Sequence, residues 1–362
     1  MNNTYILLLG ARAPIALDLA RSFHSKGFRV ILADSLRFPI GRWSNTIVNY
    51  ERLPSAKHDT LEYKEAISQL VLKYSIKHIV PTCEETFYIS RYKKNWGCKV
   101  WAPAFELMDL LHNKETFFLE FKNQLSIPET ISLKDFSDWS QSEQYVFKPA
   151  YSRFATRLFM NQAVTKESFS KTENWIVQKK VEGTEMCIYS IWDAGKLKGY
   201  VSYVPLYKAG KGSGVYFKSV ENCEVKRQVQ EFGESHKYTG QLSFDVIISE
   251  DTVWFIECNP RGTSGVHLLN NNLVECFFEE DEKETIVIRD SMLTSLMLLT
   301  HPFKFFKKDV RMSKDVLFSL KDPLPALAQI LSFLEFVFIK LSKGVSLIEA
   351  TTYDIEWNGD DD

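Results

Sequence analysis

The first hundred residues alternate between short apolar strands and amphipathic helices, and this alternation limits the folds that the chain can adopt. Strands that are separated by helices cannot pair as hairpins, so they form a parallel sheet with helices on its faces. The predicted strands lie at 5–10, 28–35, 77–82 and 99–103, and the predicted helices at 15–27 and 61–76. Residues 1–103 are therefore predicted to form one open α/β domain.

Two features of this domain could bind a ligand. The turn GARAP (10–14) follows the first strand but lacks the GxGxxG pattern of a dinucleotide site, and Asp34 could hold a ribose hydroxyl or simply form a turn. Cys83, Glu84 and Glu85 follow a later strand. They could face the crevice where such sheets place ligands, or begin a helix, whose N-terminus favours acidic residues. The sequence leaves both alternatives open.

From residue 104 onward the pattern changes to α+β. A helix is predicted over 105–124, and pairs of strands follow that need not be parallel, within 144–160, 174–192 and 199–220. We predict a domain over 104–300 with a lid subdomain at about 144–177. Residues 301–362 are predicted to form a helical C-terminal extension that packs on the core.

Charged or amide side chains lie inside or just after several apolar strands of this second region: Lys148, Glu185, Asp245, Glu257 and Asn259. A single residue of this kind is most often an edge-strand charge or a member of a structural ion pair. Five of them together, in separate strands, favour a binding site instead. Two carboxylates and an amide oxygen suit a hard cation such as Mg²⁺, and lysines supply positive charge for phosphates.

The stretch VWFIECNPRGTSG (253–265) contains three of the candidate polar residues. Side chains alternate between the two faces of a strand, so Phe255, Glu257, Asn259 and Arg261 are expected on one face. Cys258 is expected to point away from them into the core. Pro260 cannot donate to a strand ladder, so the strand should end near it. A carboxylate, an amide and a guanidinium are thus predicted to emerge together at a strand end.

The order and spacing of these residues resemble the ATP-grasp superfamily, whose members activate a carboxylate as an acyl phosphate and pass it to an amine. The motif D-x-I (245–247) followed by E-x-N-P-R (257–261) carries the resemblance, which covers about residues 1–300. It implies a parallel-sheet pre-ATP-grasp domain before a two-lobed ATP-grasp domain. It also implies that the chain uses ATP and two Mg²⁺ ions, with Mn²⁺ as an acceptable substitute.

The resemblance implies a role for each matching residue on the nucleotide side. Two lysines would contact the phosphates, a short hinge strand would meet the adenine edge through its backbone, and an acid would bind the ribose hydroxyls. Gln178 stands where many members have Glu, which weakens the contact with the adenine amino group. The implied ATP-binding residues are Lys114, Lys148, Gln178, Lys179, Lys180, Val181, Glu185 and Ile247.

The metal ligands and the catalytic arginine follow from the same resemblance. Asp245 and Glu257 would hold one Mg²⁺, and Glu257 and Asn259 would hold the second. Arg261 would steady the reacting phosphoryl and acyl groups. We assign no role to Cys258, and His267 is a weaker candidate for the substrate pocket.

The turn after the strand lysine departs from the family pattern. It reads YSRFATR (151–157), where many members have a Gly-rich loop over the triphosphate. Fewer backbone N–H groups can approach phosphate closely without glycine. Arg153 and Arg157 are predicted to compensate as catalytic phosphate-binding side chains, because Arg can bind phosphate with two hydrogen bonds. The alternative is that both arginines are surface residues of a β-turn.

Composition narrows the class of protein. The 362 residues include 44 basic and 46 acidic side chains, so no basic field draws the chain to nucleic acid. The six cysteines form no CxxC pair, and the N-terminus lacks the basic region and long apolar run of a signal peptide. A cytoplasmic protein with reduced thiols is therefore expected.

The most apolar stretch of the chain lies near its C-terminus, in the sequence PLPALAQILSFLEFVFIKL (323–341). Gln329, Ser332 and Glu335 interrupt it at helical spacing, so a membrane span is not expected. A helix that is apolar almost all round is usually buried, and we favour burial in the core over a peripheral or partner-binding helix.

The sequence thus predicts an ATP-dependent carboxylate–amine ligase acting on small molecules, of amino-acid or peptide type. Lys208 or Lys211 could meet a substrate carboxylate, or their Gly-rich connection could be a plain hairpin. The alternative functions are a nucleotide-binding regulatory or scaffold protein without turnover and a phosphotransferase on the same fold. A homodimer is left open.

Overall fold

The first sheet forms from the apolar runs of the N-terminal hundred residues. The protein was examined as a computed structural model that describes residues 4–153, 157–169, 174–210, 212–250, 252–269, 272–279 and 289–359. Its N-terminal strands are β1 (Tyr5–Leu9), β2 (Arg29–Asp34), β3 (Asn49–Arg52), β4 (His78–Val80) and β5 (Lys99–Val100). They pair in parallel in the order β3-β2-β1-β4-β5, which confirms the predicted parallel sheet. The sequence analysis missed β3, whose residues NYER are mostly polar.

Helices cover both faces of this sheet: α1 (Pro14–Ser25), α2 (Thr60–Tyr74) and α3 (Glu85–Tyr92). Alternate residues of β1 point to opposite faces and enter two different cores. Ile6 and Leu8 pack with residues of α1, whereas Leu7 and Leu9 pack with residues of α2 and α3. Every β1 residue after Tyr5 is buried, as expected for a central parallel strand.

The single helix predicted over 105–124 is wrong, because the chain forms two helices here. They are α4 (Phe105–His112) and α5 (Lys114–Phe121). Asn113 separates them: it has extended backbone, and its side chain accepts hydrogen bonds from the amides of Glu115 and Thr116. This N-cap satisfies free donors of the first turn of α5. It also places Lys114 at the first position of that helix.

A small antiparallel sheet follows, in the order β6-β8-β7. Its strands are β6 (Thr130–Ser132), β7 (Tyr145–Pro149) and β8 (Trp175–Lys179). An aromatic core of Phe136, Phe147, Phe169 and Trp175 holds the described part of this unit together. The predicted lid at 144–177 lies within it, and β6 adds a strand from before residue 144. The boundaries of the lid and of the three domains stay predictions.

The largest sheet has the order β13-β12-β9-β10-β11-β14-β15. The strands are β9 (Thr184–Asp193), β10 (Lys196–Ala209), β11 (Ser213–Ser219), β12 (Gly240–Ser249), β13 (Thr252–Asn259), β14 (Ser291–Met292) and β15 (Lys314–Asp315). All neighbours are antiparallel except β14 and β15. The accompanying helices are α6 (Cys223–Ser235), α7 (Val266–Leu269) and α8 (Leu273–Phe278). Residues of α7 and α8 join the core of the N-terminal sheet, so the two sheets share apolar packing.

A β-bulge interrupts the pairing of β12 with β13. Asp245 lies opposite Glu257, but Val246 lies opposite Phe255, so Ile256 is the extra residue. The prediction that Phe255 shares a face with Glu257 is therefore wrong. Phe255 joins the same buried core as Cys258, whose predicted inward direction is confirmed.

The C-terminal part contains α9 (Thr294–Thr300), α10 (Lys308–Met312), α11 (Leu324–Lys343) and α12 (Leu347–Ala350). Val316 and Leu317 pack on the α1 side, and Ile355 and Trp357 enter the core of the N-terminal sheet.

The predicted burial of the apolar helix α11 is wrong. Only Pro325, Ala328 and Ser332 of this helix are buried, and most of its leucines and phenylalanines are exposed. Within the described residues, α11 is the one helix that is long and apolar enough to cross a membrane by length and composition. Length and apolar composition are weak evidence for a membrane span, because core helices of soluble proteins and signal sequences have the same two properties.

Candidate functional site

Two carboxylates face each other across the last strand pair of the large sheet. Asp245 on β12 and Glu257 on β13 are direct cross-strand partners, a position that brings their Cβ atoms to about 5 Å. Burial, and after it the negative charge of Glu257, raises the pKa of Asp245 to about 6. Two like charges held this close are costly unless a cation lies between them.

Asn259 and Arg261 extend this pair along the end of β13. The Asn259 side chain lies 3.5 Å from an Asp245 oxygen through its amide nitrogen, and its Oδ1 accepts a hydrogen bond of 3.2 Å from Arg261. The Nε atom of Arg261 is buried and has no hydrogen-bond partner among the described residues. Its nearest carboxylate oxygen belongs to Glu84, 4.0 Å away. A buried donor without an acceptor suits an anionic ligand.

Two buried lysines approach the same carboxylates from the lid side. Lys114 Nζ lies 3.3 Å from Glu257 and donates to the carbonyl of Ser152 at 3.2 Å. Lys148 Nζ donates to the carbonyl of Ile256, the bulge residue, at 2.8 Å. Burial lowers the pKa of Lys148 to about 7, partly opposed by the negative charge of Glu257. A phosphate group here would favour the charged form of this lysine.

The residues present fit a hard cation. Two carboxylates face each other beside the Asn259 amide, whose nitrogen is directed to Asp245 and whose oxygen is directed to Arg261. Among the described residues, no group of three or more His, Cys, Asp or Glu side chains could hold a metal by itself. Mg²⁺ is usually held by one or two protein carboxylates while water and phosphate oxygens complete its shell. The facing carboxylates Asp245 and Glu257 suit a cation, and the orphaned Nε of Arg261 suits an anion.

The predicted hinge follows β8 beside the site. Gln178 is buried and links two elements, because its Oε1 accepts from Lys148 and its Nε2 donates to Thr130. The amides of Lys179 and Lys180 donate to the carbonyls of Glu129 and Gln144. Recognition of adenine would therefore fall to carbonyl oxygens of this segment and to the Val181 amide.

The hinge then folds closely over β12. Gly183 approaches the backbone so closely that a Cβ atom there would lie 2.2 Å from the carbonyl oxygen of Ile248. Ile247 is half-buried and lies opposite Glu185 in the β9–β12 pairing. Glu185 is exposed and forms an ion pair with Lys208 on β10. Lys211, the other lysine considered for a substrate carboxylate, lies outside the described residues.

The two arginines of the turn after β7 lie in different surroundings. Arg153 forms a buried ion pair with Glu84, with a 2.5 Å contact from its Nε, and also donates to the carbonyl of Trp357. Burial alone would raise the pKa of Glu84, but the Arg153 charge lowers it to about 2. Arg157 is exposed, with its guanidinium 5.7 Å from the Trp175 ring centre. Their binding to phosphate stays a prediction, and for Arg153 it would require breaking this ion pair.

The C-terminal tail closes the crevice of the N-terminal sheet. Arg12, in the turn after β1, bonds to Asp34 at 2.5 Å and to Asp354 of the tail at 2.6 Å. Asp34 is therefore a buried ion-pair partner, and the dinucleotide alternative for this crevice is wrong. Glu84 is the N-cap residue of α3, in agreement with the alternative that these acidic residues begin a helix. Its carboxylate also accepts a hydrogen bond of 3.0 Å from the Trp357 amide. Sequence reasoning missed this use of the tail, because no local pattern shows which distant residues it contacts.

His267 lies away from the carboxylate pair. Its Nδ1 lies 2.7 Å from Asp18 on α1, which also pairs with Lys314 at 3.2 Å. His267 and Asp18 are both buried where α7 meets the N-terminal domain. The prediction of His267 as a substrate-pocket residue is therefore wrong, because its ring nitrogen serves an interdomain contact.

Comparisons with known proteins agree with this arrangement. A family model described as the ATP-grasp domain matches residues 111–265. No curated protein sequence matches the chain. Among solved structures, N5-carboxyaminoimidazole synthetase from Staphylococcus aureus has a TM-score of 0.64 at 12% identity, covering 85% of this chain and 89% of that one.

Two further solved structures are similar. The L-amino acid ligase from Bacillus licheniformis has a TM-score of 0.61 at 14% identity, covering 80% of this chain and 79% of that one. The biotin carboxylase domain of the Hydrogenobacter thermophilus 2-oxoglutarate carboxylase, in complex with MgADP, ADP and bicarbonate, has a TM-score of 0.57 at 13% identity, covering 78% and 72%. At these identities the likeness shows the fold: an N-terminal parallel-sheet domain, a mixed-sheet domain and C-terminal helices.

Proposed function

We propose that the chain is an ATP-dependent carboxylate–amine ligase, and the premise is the match of residues 111–265 to the model of the ATP-grasp domain. The observation that carries the proposal is the cross-strand pair of carboxylates, Asp245 and Glu257, with two buried lysines beside it. A site that holds both excess negative and excess positive charge suits a ligand with a cation and phosphates together. Mg·ATP is such a ligand.

The proposed reaction has two steps. A substrate carboxylate oxygen attacks the γ-phosphorus of ATP, and the bond to the bridging oxygen breaks to release ADP. The nitrogen of an amine then attacks the acyl carbon, releases inorganic phosphate and loses a proton to solvent. Both steps depend on positioning and on stabilisation of negative charge, and neither needs a nucleophilic side chain.

The chain's own residues have distinct tasks in this proposal. Lys114 and Lys148 bind the phosphates, and Lys148 takes up a proton as the nucleotide binds, because its pKa of about 7 rises beside a polyanion. Arg261 directs its free Nε to the anionic group that forms during transfer. Asp245 and Glu257 would hold one Mg²⁺ and Glu257 and Asn259 a second. Bound Mg²⁺, or Mn²⁺ in its place, would offset charge on the transferred group.

The remaining sequence predictions describe the nucleotide and the substrates. The hinge from Gln178 to Val181 is proposed to meet adenine, Ile247 to pack beneath it, and Glu185 to bind ribose after releasing Lys208. The similarity to an L-amino acid ligase favours amino acids as the carboxylate and amine substrates.

The test is a pairwise screen of amino acids for ADP release with Mg²⁺ and ATP. Release that depends on two substrates together, with formation of the condensed product, supports the ligase. Release that depends on one substrate, with a stable phosphorylated product, favours the phosphotransferase. A raised melting temperature with ATP and Mg²⁺, but no turnover with any pair, favours the regulatory or scaffold alternative. No melting shift at all would contradict nucleotide binding.

A further inference from the structure

The exposed helix α11 has its polar side directed to the protein. The Glu335 carboxylate accepts hydrogen bonds of 2.7 Å from the amides of Arg37 and Phe38, and Ser332 donates to the Phe38 carbonyl at 2.6 Å. Gln329 accepts from a serine of α9 at 2.7 Å. The three residues that interrupt the apolar sequence are therefore the ones that attach the helix. This is the reverse of an ordinary surface helix.

The outward side of α11 is an apolar stripe. Leu324, Leu327, Ile330, Leu334, Phe338 and Leu341 recur at helical spacing, and all are exposed. The segment before the helix also exposes large apolar side chains, with Phe303 and Leu320 each 88% exposed. Most of the exposed large apolar side chains in the described part of the chain lie between Leu296 and Leu341. A patch of this extent marks an interaction surface, whereas single exposed apolar residues do not.

The charges around the stripe are mainly positive. The exposed cations of this region are Lys304, Lys307, Lys308, Arg311, Lys321, Lys340 and Lys343. The acidic side chains are mostly engaged by the protein: Asp322 pairs with Arg21, and Asp315 accepts from two backbone amides. Within the continuously described range 294–343, only Asp309 is an exposed carboxylate. The face therefore combines apolar side chains with an excess of positive charge.

We propose that α11 and residues 296–321 form a face that binds an anionic phospholipid bilayer. Leucines and phenylalanines would enter the boundary between headgroups and acyl chains, while the flanking lysines meet lipid phosphates. Long lysine side chains can lay their methylene groups along the apolar region and keep the ammonium group at the headgroups. This inference does not depend on the proposed ligase activity.

The hydrogen bonds of α11 argue for a position at the bilayer surface and against a span. A spanning helix would have to leave the protein body and carry Glu335, Ser332 and Gln329 into hydrocarbon. Burial of an acidic side chain there is expensive, and its present partners are backbone amides of the N-terminal domain. At the surface, the helix keeps all three contacts and still buries its outward stripe.

The charge pattern also favours lipid over a second copy of this chain. A twofold dimer brings the same patch of both subunits together, so cations would meet cations around the stripe. An anionic bilayer offers the opposite charge and an apolar interior within one partner. Its surface potential attracts basic residues within about one Debye length of the membrane.

Vesicle flotation of the full chain tests the proposal, with vesicles of phosphatidylcholine alone and of phosphatidylcholine mixed with phosphatidylserine. We expect binding to the mixed vesicles that weakens at high salt. The variant with Leu327→Glu and Phe338→Glu should lose at least about tenfold in affinity. The matched control places Glu at Leu61 and Leu72, which are 70% and 80% exposed on α2, and should bind like the parent chain.

A second variant keeps the test decisive if the first one misfolds. Lys340→Gln with Lys343→Gln changes two exposed side chains and should weaken binding to the mixed vesicles about tenfold. Melting temperatures close to that of the parent chain verify folding. Failure to bind mixed vesicles, or equal binding to neutral ones, would overturn the proposal. So would a stable dimer that dissociates on Leu327→Glu without vesicle binding, because the face would then belong to a second copy.

Discussion

The β12–β13 pair and helix α11 depart from the usual distribution of side chains in opposite directions. The strand pair holds Asp245 and Glu257 against each other beside two buried lysines. The helix exposes its leucines and phenylalanines and attaches itself through Glu335 and Ser332. In one region charge is inside, and in the other apolar surface is outside.

The difference between these regions indicates which kind of ligand or partner each one lacks. Charges held together at the strand pair are costly until a ligand of mixed charge joins them. Exposed apolar side chains on α11 are costly until an apolar phase covers them. The buried pair of Glu84 and Arg153 is a useful contrast, because it has equal and opposite charges and needs nothing further. Buried charges of like sign and exposed apolar surfaces that have no partner within the protein therefore indicate binding sites.

The largest effect is expected from Glu257→Gln. The substitution keeps the shape of the side chain and removes the charge that would bind a cation, so Mg²⁺-dependent ADP release should fall by about 10²- to 10³-fold. Apo stability should change by less than about 1 kcal/mol, because the lost pair with Lys114 is offset by lost repulsion with Asp245. Turnover assays and thermal unfolding measure both quantities.

Glu84→Gln is the matched control for this prediction. It neutralises a carboxylate that is already paired and should cost about 3–5 kcal/mol of stability, because buried Arg153 loses its shorter ion pair and keeps the 3.7 Å contact with Glu356. If Glu257→Gln destabilises the apo protein as much as Glu84→Gln, both carboxylates are structural and the metal site is refuted.

A medium effect is expected in the pH dependence of apo stability. The folded-state pKa of Asp245 is raised from 3.8 to about 6, first by burial and then by Glu257. An acid whose pKa is higher in the folded state than in the unfolded state contributes stability that is fully present below the unfolded pKa. This stability is lost as the pH rises through the folded pKa. Between about pH 4 and 6 the parent chain should therefore lose about 2 to 3 kcal/mol relative to Asp245→Asn.

Denaturant unfolding of the parent chain and Asp245→Asn at several pH values isolates the titration of this carboxylate pair, because titrating groups that do not interact with Asp245 cancel in the difference. Mg²⁺ at neutral pH should restore part of the lost stability in the parent chain alone. A stability difference that stays constant from pH 4 to 6 would show that neither burial nor Glu257 raises the pKa of Asp245 in the folded protein.

The smallest effects are expected on α11, where the usual rule for surface helices should be reversed. Glu335→Leu leaves the amides of Arg37 and Phe38 without their acceptor and should cost about 1–2 kcal/mol, even though it makes the helix more apolar. Leu327→Gln should change stability by less than about 0.5 kcal/mol, because the side chain is 69% exposed. Thermal unfolding checks both, and the opposite ranking would mean that the helix packs through its apolar side.

Much of the fold could be predicted from the sequence where the pattern is local. The alternation of apolar strands and helices in the first hundred residues predicted the parallel sheet. Strand β3 was not predicted, because its polar residues show no strand pattern. The helix over 105–124 was predicted as one piece, since its apolar spacing continues across Asn113. Only the backbone conformation at Asn113 reveals the break.

The candidate site divides in the same way. Polar residues at the ends of apolar strands indicated Asp245, Glu257 and Asn259, and the structure brings all three together. The sequence could not give the Glu84–Arg153 pair, because the two residues lie 69 positions apart in the chain. It also could not give the bulge at Ile256, which depends on how β12 and β13 pair.

By itself, the sequence determined which residues could carry the chemistry, because strand periodicity and turn residues act over a few neighbours along the chain. Only the tertiary structure decided their partners. Arg153 pairs with Glu84, His267 pairs with Asp18, and the C-terminal tail packs in the crevice of the first sheet. It also decided that the polar side of α11 faces inward. The periodicity of a helix shows two faces with different polarity, but which of them the protein buries depends on the hydrogen-bonding groups of the surface it meets.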